Sequence, residues 1–127
     1  MPVRVELIDD AVDDLARYAE TGTLPLFLKK LIHLEEAGRD AGLPLGRGLA
    51  GWKKIVVGNR DWRIIFTVDP DETTATIWVI GDRTDAECYE MAHRRVAAIG
   101  RSRPQASSLA AVMFQISQAR RTSKKKR

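Results

Sequence analysis

The sequence contains little cysteine and no long apolar run. Cys88 is its single cysteine, so no disulfide can form within the chain, and the paired Cys/His spacing of a zinc site is missing. No stretch of about 18 apolar residues exists that could cross a membrane, and the charged N-terminal residues do not fit a signal peptide. These absences predict a cytoplasmic protein that needs no disulfide, metal, cofactor or membrane.

Acidic residues are missing from the last part of the chain, Gly100 to Arg127, which holds eight Lys and Arg residues. Subtracting these eight charges from the +4 of the whole chain leaves −4 on residues 1–99. A basic arm on a mildly acidic body favours a polyanionic or an acidic protein partner, and a solubilising tail is the alternative. At 127 residues and 44% hydrophobic content one core is expected, so we predict a globular domain over residues 1–99 and a basic extension over residues 100–127.

Hydrophobic periodicity predicts one strand and two helices in the first third of the chain. They are a strand over Val3–Ile8, a helix that Asp9 or Asp10 caps and that ends at Gly22, and a helix from Leu24 towards Gly38. Asp13 and Asp14 fall in the first turns of the first helix, where the helix dipole favours acidic residues. A glycine ends each helix, and the two helices are expected to form a hairpin.

Three short strands and two helices are predicted in the rest of the chain. The strands are Trp52–Val57, Trp62–Val68 and Thr74–Gly81, and their short connections imply an antiparallel meander. Thr84 and Glu87 have the spacing of a capping box, which starts a helix with Cys88 on its buried side. After a predicted linker over residues 101–108, the apolar residues from Leu109 to Ile116 have helical spacing. This amphipathic helix can dock on the body, on another copy or on a partner.

The element order β-α-α-β-β-β-α, plus the extra C-terminal helix, predicts an α+β fold in which a helical hairpin packs on a small antiparallel sheet. The apolar residues of the second and third strands face the helices, so Lys54 and Arg63 project from the opposite, open face. Arg83 ends the last strand, and Tyr89 lies in the following helix. Two guanidinium groups, an ammonium group and a phenol in one concavity suit a phosphodiester; ordinary solvent-facing charges are the alternative.

Several runs of the sequence together resemble the RelE/ParE toxin superfamily. They are Leu49–Val57, Asp61–Phe66, Val79–Arg83, Tyr89-Glu90 and Arg94-Arg95-Val96, and the predicted helical hairpin precedes them. The resemblance covers residues 3–97 and implies that residues 1–99 form a RelE-like toxin domain. It does not explain the extension over residues 100–127.

The resemblance also implies a catalytic set. In the ribosome-dependent ribonucleases of this family the corresponding positions hold two arginines, a lysine and a tyrosine, which match Lys54, Arg63, Arg83 and Tyr89. The family commonly has a second lysine two residues after the first, and Val56 stands there in this chain. His93, one helical turn after Tyr89, is a candidate substitute, and a surface histidine is the alternative. We further expect four basic residues to contact RNA: Lys53, Arg60, Arg120 and Arg121.

The implied activity is that of the toxin of a type II toxin–antitoxin system, a metal-independent endoribonuclease that cuts mRNA in the ribosome and inhibits translation. The ribose 2′-hydroxyl attacks the adjacent phosphate, leaving a cyclic phosphate and a free 5′-hydroxyl. Tyr89 is the candidate base, and because a free phenol ionises near pH ~10, cations such as Lys54 must activate it. Lys54 and Arg63 hold the phosphate, and Arg83 stabilises charge beside the leaving oxygen. A cognate antitoxin is the implied protein partner.

Two other functions remain open. The ParE branch of the superfamily inhibits DNA gyrase with the same fold, and Val56 weakens the preference for the ribonuclease branch. The third interpretation is a non-catalytic RNA-binding or ribosome-binding protein that uses the basic tail. Trp52, Trp62 or Trp78 can stack on unpaired RNA bases, although core packing is the commoner role of a tryptophan.

Overall fold

A computed structural model describes residues 2–19, 21–44, 51–59, 62–69, 71, 73–82, 84–99 and 106–125 of the chain. In chain order its elements are β1 Arg4–Ile8, α1 Asp9–Tyr18, α2 Leu24–Ala37, a 3-10 helix Gly38–Ala41, β2 Leu43–Pro44, β3 Trp52–Val57, β4 Trp62–Val68, β5 Thr74–Gly81, α3 Asp85–Ile99, β6 Ala106–Ser108 and α4 Leu109–Lys125. All the predicted helices and strands are present.

The six strands form one sheet in the order β2-β3-β4-β5-β1-β6. Because short turns join β3 to β4 and β4 to β5, these strands pair antiparallel. β1 lies parallel to β5, with Leu7 opposite Ile77, since the helical hairpin and the meander separate the two strands along the chain. The predicted α+β fold is confirmed, and a parallel pair is added to the antiparallel sheet.

α1 and α2 form the predicted hairpin, but α1 differs from the prediction at both ends: it has no aspartate cap, and it ends at Tyr18, before Gly22. Pro25 lies in the first turn of α2, where its missing N–H costs no hydrogen bond. Gly38 ends α2 at a φ of 65°. The N-cap position of α1 is Ile8, which makes no side-chain cap, so Asp9 and Asp10 both lie inside the first turn. The acidic residues therefore act on the helix dipole rather than as a cap.

Alternation along β3 and β4 gives the sheet two different faces. The hairpin face carries four buried side chains: Ile55, Val57, Ile64 and Phe66. Trp62 lies on the same face, and its ring centroid is 5.8 Å from that of Phe27 in α2. The opposite face, called the second face, carries Trp52, Lys54, Val56, Arg63 and Ile65. The helical hairpin thus covers one side of the sheet.

The second face is covered in part by α3. Ile65 is fully buried on this face, and Tyr89 of α3 contacts Trp52. Cys88 and Ala92 are the fully buried residues of α3, which packs on β4 and β5. The expectation of a wholly open face is therefore corrected, because the apolar residues of β4 and β5 on this side need a cover.

The segment after α3 joins the body of the protein. The sequence predicts a linker over residues 101–108, but Ala106–Ser108 form β6, antiparallel to β1; residues 101–105 lie outside the described residues. α4 buries Leu109, Val112 and Ile116 in the common core and packs on β1 and β6. Docking on its own body is therefore the arrangement observed for this helix. In the described part of the chain, no helix has the length and apolar character to cross a membrane.

Candidate active site

Lys54 and Arg63 lie on neighbouring strands and on the same face of the sheet. The ladder pairs Lys54 with Ile65 and Val56 with Arg63, so the two basic residues are diagonal neighbours, about 7–8 Å apart. Both are half-buried on the second face. Because their side chains are long, they can reach one phosphate group from two strands.

α3 positions Tyr89 over the face of the sheet that carries these cations. Its predicted capping box is present: the Glu87 amide donates to Thr84 Oγ1 at 3.2 Å, and the Thr84 hydroxyl donates to Glu87 Oε1 at 3.0 Å. Tyr89 is half-buried, and its ring meets that of Trp52 edge-on, at 6.5 Å between centroids. Trp52 precedes Lys54 by two residues on the second face, about 6.6 Å along the strand. The fold thus brings the phenol to the side of the sheet that carries both cations.

The described structure does not place the other predicted site residues on the second face. Two lie outside the described residues: Arg60 and Arg83. Lys53 pairs with Phe66 and therefore belongs to the hairpin face, opposite to Lys54. Arg120 and Arg121 belong to α4, and their side chains are outside the described part of the chain. The geometry therefore places three of the four predicted catalytic residues on one face of the sheet.

Val56 stands where the family commonly has a second lysine. It pairs directly with Arg63 and is half-buried on the second face. An apolar side chain there leaves the site with one cation fewer. His93, the candidate substitute, is exposed, and its ring centroid lies 5.0 Å from that of Tyr89. The imidazole therefore contacts the Tyr89 ring of the candidate site.

Asp14 and Arg95 form a buried ion pair at the edge of β5, which the sequence reasoning missed. β1 pairs with β5 only as far as Ile77, so the next outward backbone groups of β5 need other partners. Arg95 donates to the Trp78 carbonyl at 2.8 Å and to Asp14 Oδ2 at 2.7 Å, and the Ile80 amide donates to Asp14 Oδ2 at 3.0 Å. These bonds tie α1 and α3 to β5 and so fix the helix that carries the candidate base.

Other ionisable side chains have structural roles. Tyr18 packs on Phe27 at 4.6 Å between ring centroids, and burial, with the nearby Asp82 carboxylate, raises the pKa of its phenol above the ordinary value. Tyr18 therefore stays protonated at neutral pH and packs in the helical hairpin. Among the described residues, no three His, Cys, Asp or Glu side chains lie together as a metal site requires.

The architecture defines a class of protein: the chain has the fold of the RelE toxins. The Escherichia coli toxin RelE, solved free as a mutant with two arginines replaced by alanine, matches with a TM-score of 0.61 and 20% identity over 76% of this chain and 99% of its own. The toxin–antitoxin complex RelBE2 from Mycobacterium tuberculosis contains a chain that matches with a TM-score of 0.53 and 24% identity, over 65% of this chain and 100% of its own.

These structural matches confirm the predicted likeness to RelE at the level of the fold. No protein-family model matches the chain, and no curated protein matches it. Both solved chains are matched over almost their whole length but cover only 65% and 76% of this chain, so each leaves part of it without a counterpart.

Proposed function

We propose that this chain is the toxin of a type II toxin–antitoxin pair and cleaves mRNA in the ribosome. The observation that carries the proposal is the placement of Lys54 and Arg63 as diagonal neighbours on the second face, with Tyr89 of α3 on the same face, in contact with Trp52. Two cations and a phenol at one place suit the cleavage of a phosphodiester. The RelE fold supports the same reading, although a fold by itself does not define an activity.

In the proposed reaction the ribose 2′-oxygen attacks the adjacent phosphorus. A bond forms between these atoms, the bond from phosphorus to the 5′-oxygen breaks, and the leaving oxygen takes a proton from water. The products are a 2′,3′-cyclic phosphate and a 5′-hydroxyl. Tyr89 takes or orients the proton of the 2′-hydroxyl. Lys54 and Arg63 stabilise the extra negative charge on the phosphoryl oxygens. Arg83 stabilises the leaving oxygen as a fixed charge, because a guanidinium group does not give up its proton at ordinary pH.

The proposed protein partner is a cognate antitoxin. One of the structural neighbours is a toxin–antitoxin complex, and the basic segment from Gly100 to Arg127 favours an acidic partner. An acidic or amphipathic antitoxin peptide that covers the second face would hide the cations from RNA.

A second candidate function is the inhibition of DNA gyrase, as in the ParE branch. Val56 favours it, because an apolar residue beside Arg63 removes a charge from the phosphate site. Induction of DNA damage without loss of translation would support this alternative.

Growth arrest by variants tests the proposed site. We expect Arg63→Ala, Lys54→Ala and Arg83→Ala each to relieve the arrest, since loss of one group that stabilises the transition state lowers a rate by about 100-fold or more. Arg4→Ala and Lys29→Ala are matched controls, because Arg4 and Lys29 are exposed cations outside the site. Circular dichroism checks that each variant folds. If Arg63→Ala and Arg83→Ala both stay fully toxic, the assignment of the site is wrong.

A further inference from the structure

Four aromatic rings form a continuous row that crosses from the sheet to α3. The centroid of Trp78 lies 5.9 Å from that of Trp52, Trp52 lies 6.5 Å from Tyr89, and Tyr89 lies 5.0 Å from His93. Exposure increases along the row: Trp78 is 9% exposed, Trp52 and Tyr89 are half-buried, and His93 is exposed. The row therefore begins in the core and ends in solvent.

The buried end of the row is held in a fixed position. The pairing of β4 with β5 shifts between Ile65 and Phe66, which leaves Trp78 as the extra residue of a β-bulge. A bulge re-aims a side chain, and the Trp78 indole N–H donates to Thr67 Oγ1 at 2.9 Å. Trp52 therefore rests against a ring that is itself fixed by a hydrogen bond. A platform of this kind costs little conformational entropy when a flat ligand binds to it.

A second aromatic group in the protein gives a useful contrast. Trp62 contacts Tyr18 and Phe27 on the hairpin face, and Phe27 is fully buried between the helices and the sheet. Core packing accounts for this group completely. The row that contains Trp52 differs, because it lies on the second face, beside the basic residues of the candidate site, and one of its ends is exposed.

We propose that Trp52, with Tyr89 and His93, forms a stacking site for one unpaired RNA base, next to the phosphate held by Lys54 and Arg63. Proteins that bind single-stranded RNA combine a basic groove with aromatic rings on which bases stack. Trp52 and Lys54 are two residues apart on one face of β3, about 6.6 Å along the strand. A base on the indole and its phosphate near the ammonium group therefore fit one nucleotide. The inference rests on the proposed function and adds the site's contact with the base.

Binding of a non-cleavable RNA tests the stacking site. The probe is a short single-stranded oligonucleotide with 2′-O-methyl sugars, which lacks the attacking hydroxyl, and the measurement is its Kd for the full chain at fixed salt. We expect Trp52→Leu to weaken binding roughly 5- to 150-fold, the range that stacking of one base supplies. Trp62→Leu is the matched control, since Trp62 lies on the opposite face, and it should change the Kd less than about 2-fold.

The same probe with one abasic nucleotide shows whether the Trp52 ring and an RNA base interact directly. At the stacked position, the missing base should weaken binding to the natural chain by the same factor as Trp52→Leu. In the Trp52→Leu variant it should cause no further loss, because the interaction is already absent.

His93→Ala gives an independent test, because His93 is exposed and its replacement leaves the core intact. It should weaken binding of the probe by several-fold, whereas His33→Ala, which removes an exposed histidine from α2, should not. Urea denaturation shows whether the tryptophan variants fold. If Trp52→Leu does not fold, the comparison of His93→Ala with His33→Ala tests the stacking site instead.

Either of two binding results would overturn the stacking site, and so would the cleavage result given below. The binding results are no binding of the probe by the natural chain, or equal binding by the Trp52→Leu and Trp62→Leu variants. Failure of the proposed function can be distinguished from failure of the stacking site by measuring cleavage. If the natural chain and Trp52→Leu make the same cuts in mRNA at the same rate, the stacking site is wrong and the ribonuclease stands. If RNA binds through Trp52 and no message is cut, the stacking site stands and the ribonuclease is wrong.

Discussion

Asp14 is a charged side chain that the fold buries almost completely, with 1% of its surface exposed. It accepts hydrogen bonds from the Ile80 amide, from Arg95 and from Arg17. Charge pairing of this kind repays the cost of desolvation only when the geometry is good and the remaining polar atoms have partners. Here the three partners belong to three different elements: Ile80 to β5, Arg95 to α3 and Arg17 to α1.

The sequence could not reveal this pair. Asp13 and Asp14 look alike in the first helix, and the helix dipole explains acidic residues at both positions. Only the fold shows that Asp14 turns inward while Asp13 is exposed. Its partner, Arg95, lies 81 residues further along the chain, and local periodicity carries no information at that distance.

Removing the Asp14 carboxylate should destabilise the protein strongly. We expect Asp14→Ala to lower the free energy of unfolding by about 3–5 kcal/mol, because Arg95 loses its nearest carboxylate and the buried Ile80 amide loses its acceptor. Asp13→Ala is the control, and replacement of this exposed residue should change the value by less than about 0.5 kcal/mol. Urea denaturation followed by circular dichroism measures both. Equal effects of the two substitutions would show that the ion pair contributes nothing specific.

At the scale of elements, the sequence predicted the three strands of the meander at their observed bounds, because β-branched and aromatic residues are abundant in them and turn residues separate them. The capping box likewise located the start of α3. The bulge in β5 was not predicted, because apolar residues occupy both faces of that strand and its alternation is lost. That bulge places Trp78 against Trp52 and so shapes the second face.

The entry of the chain into β2 depends on a glycine that lies directly against the core. A Cβ atom on Gly42 would lie 2.5 Å from Phe66 Cζ and 3.2 Å from the Lys54 carbonyl oxygen. Phe66 is fully buried and cannot move without disturbing its neighbours. Glycine is therefore required here for close approach.

Gly42→Ala should lower the free energy of unfolding by about 1–3 kcal/mol, the usual cost of overpacking a core. Gly81→Ala is the matched control in the same sheet, since a Cβ there meets no atom within 4 Å, and its effect should be below about 0.5 kcal/mol. The midpoint of urea denaturation compares the two variants. A Gly42→Ala protein as stable as the Gly81→Ala protein would contradict the close packing of Phe66.

The whole molecule is larger than its RelE-like part. The fold of residues 1–99 could be predicted from periodicity and from the order of motifs, and the solved RelE structure matches 76% of the chain. The role of the C-terminal segment could not be predicted, since an amphipathic helix has the same pattern whether it docks on its own body or on a partner. In the structure β6 extends the sheet beyond β1, and α4 completes the core.

Two residues of α4 distinguish a docked helix from an unattached one. Leu109 is 2% exposed and Phe114 is 64% exposed. We expect Leu109→Ala to lower the free energy of unfolding by about 2–5 kcal/mol, as for other large-to-small changes in a core, and Phe114→Ala to change it by less than about 0.5 kcal/mol. If urea denaturation shows small, equal effects, α4 does not dock on the body in solution.

The central proposal is that this protein cuts mRNA on the ribosome, and mapping the 5′ ends of mRNA after its induction in cells tests it most directly. The comparison is made with translation active and with ribosomes kept off the message by an initiation inhibitor. The account predicts new 5′-hydroxyl ends inside codons that disappear when ribosomes are absent and that the Arg63→Ala variant does not produce. Intact messages in cells whose growth has stopped would contradict it and would direct attention to DNA gyrase.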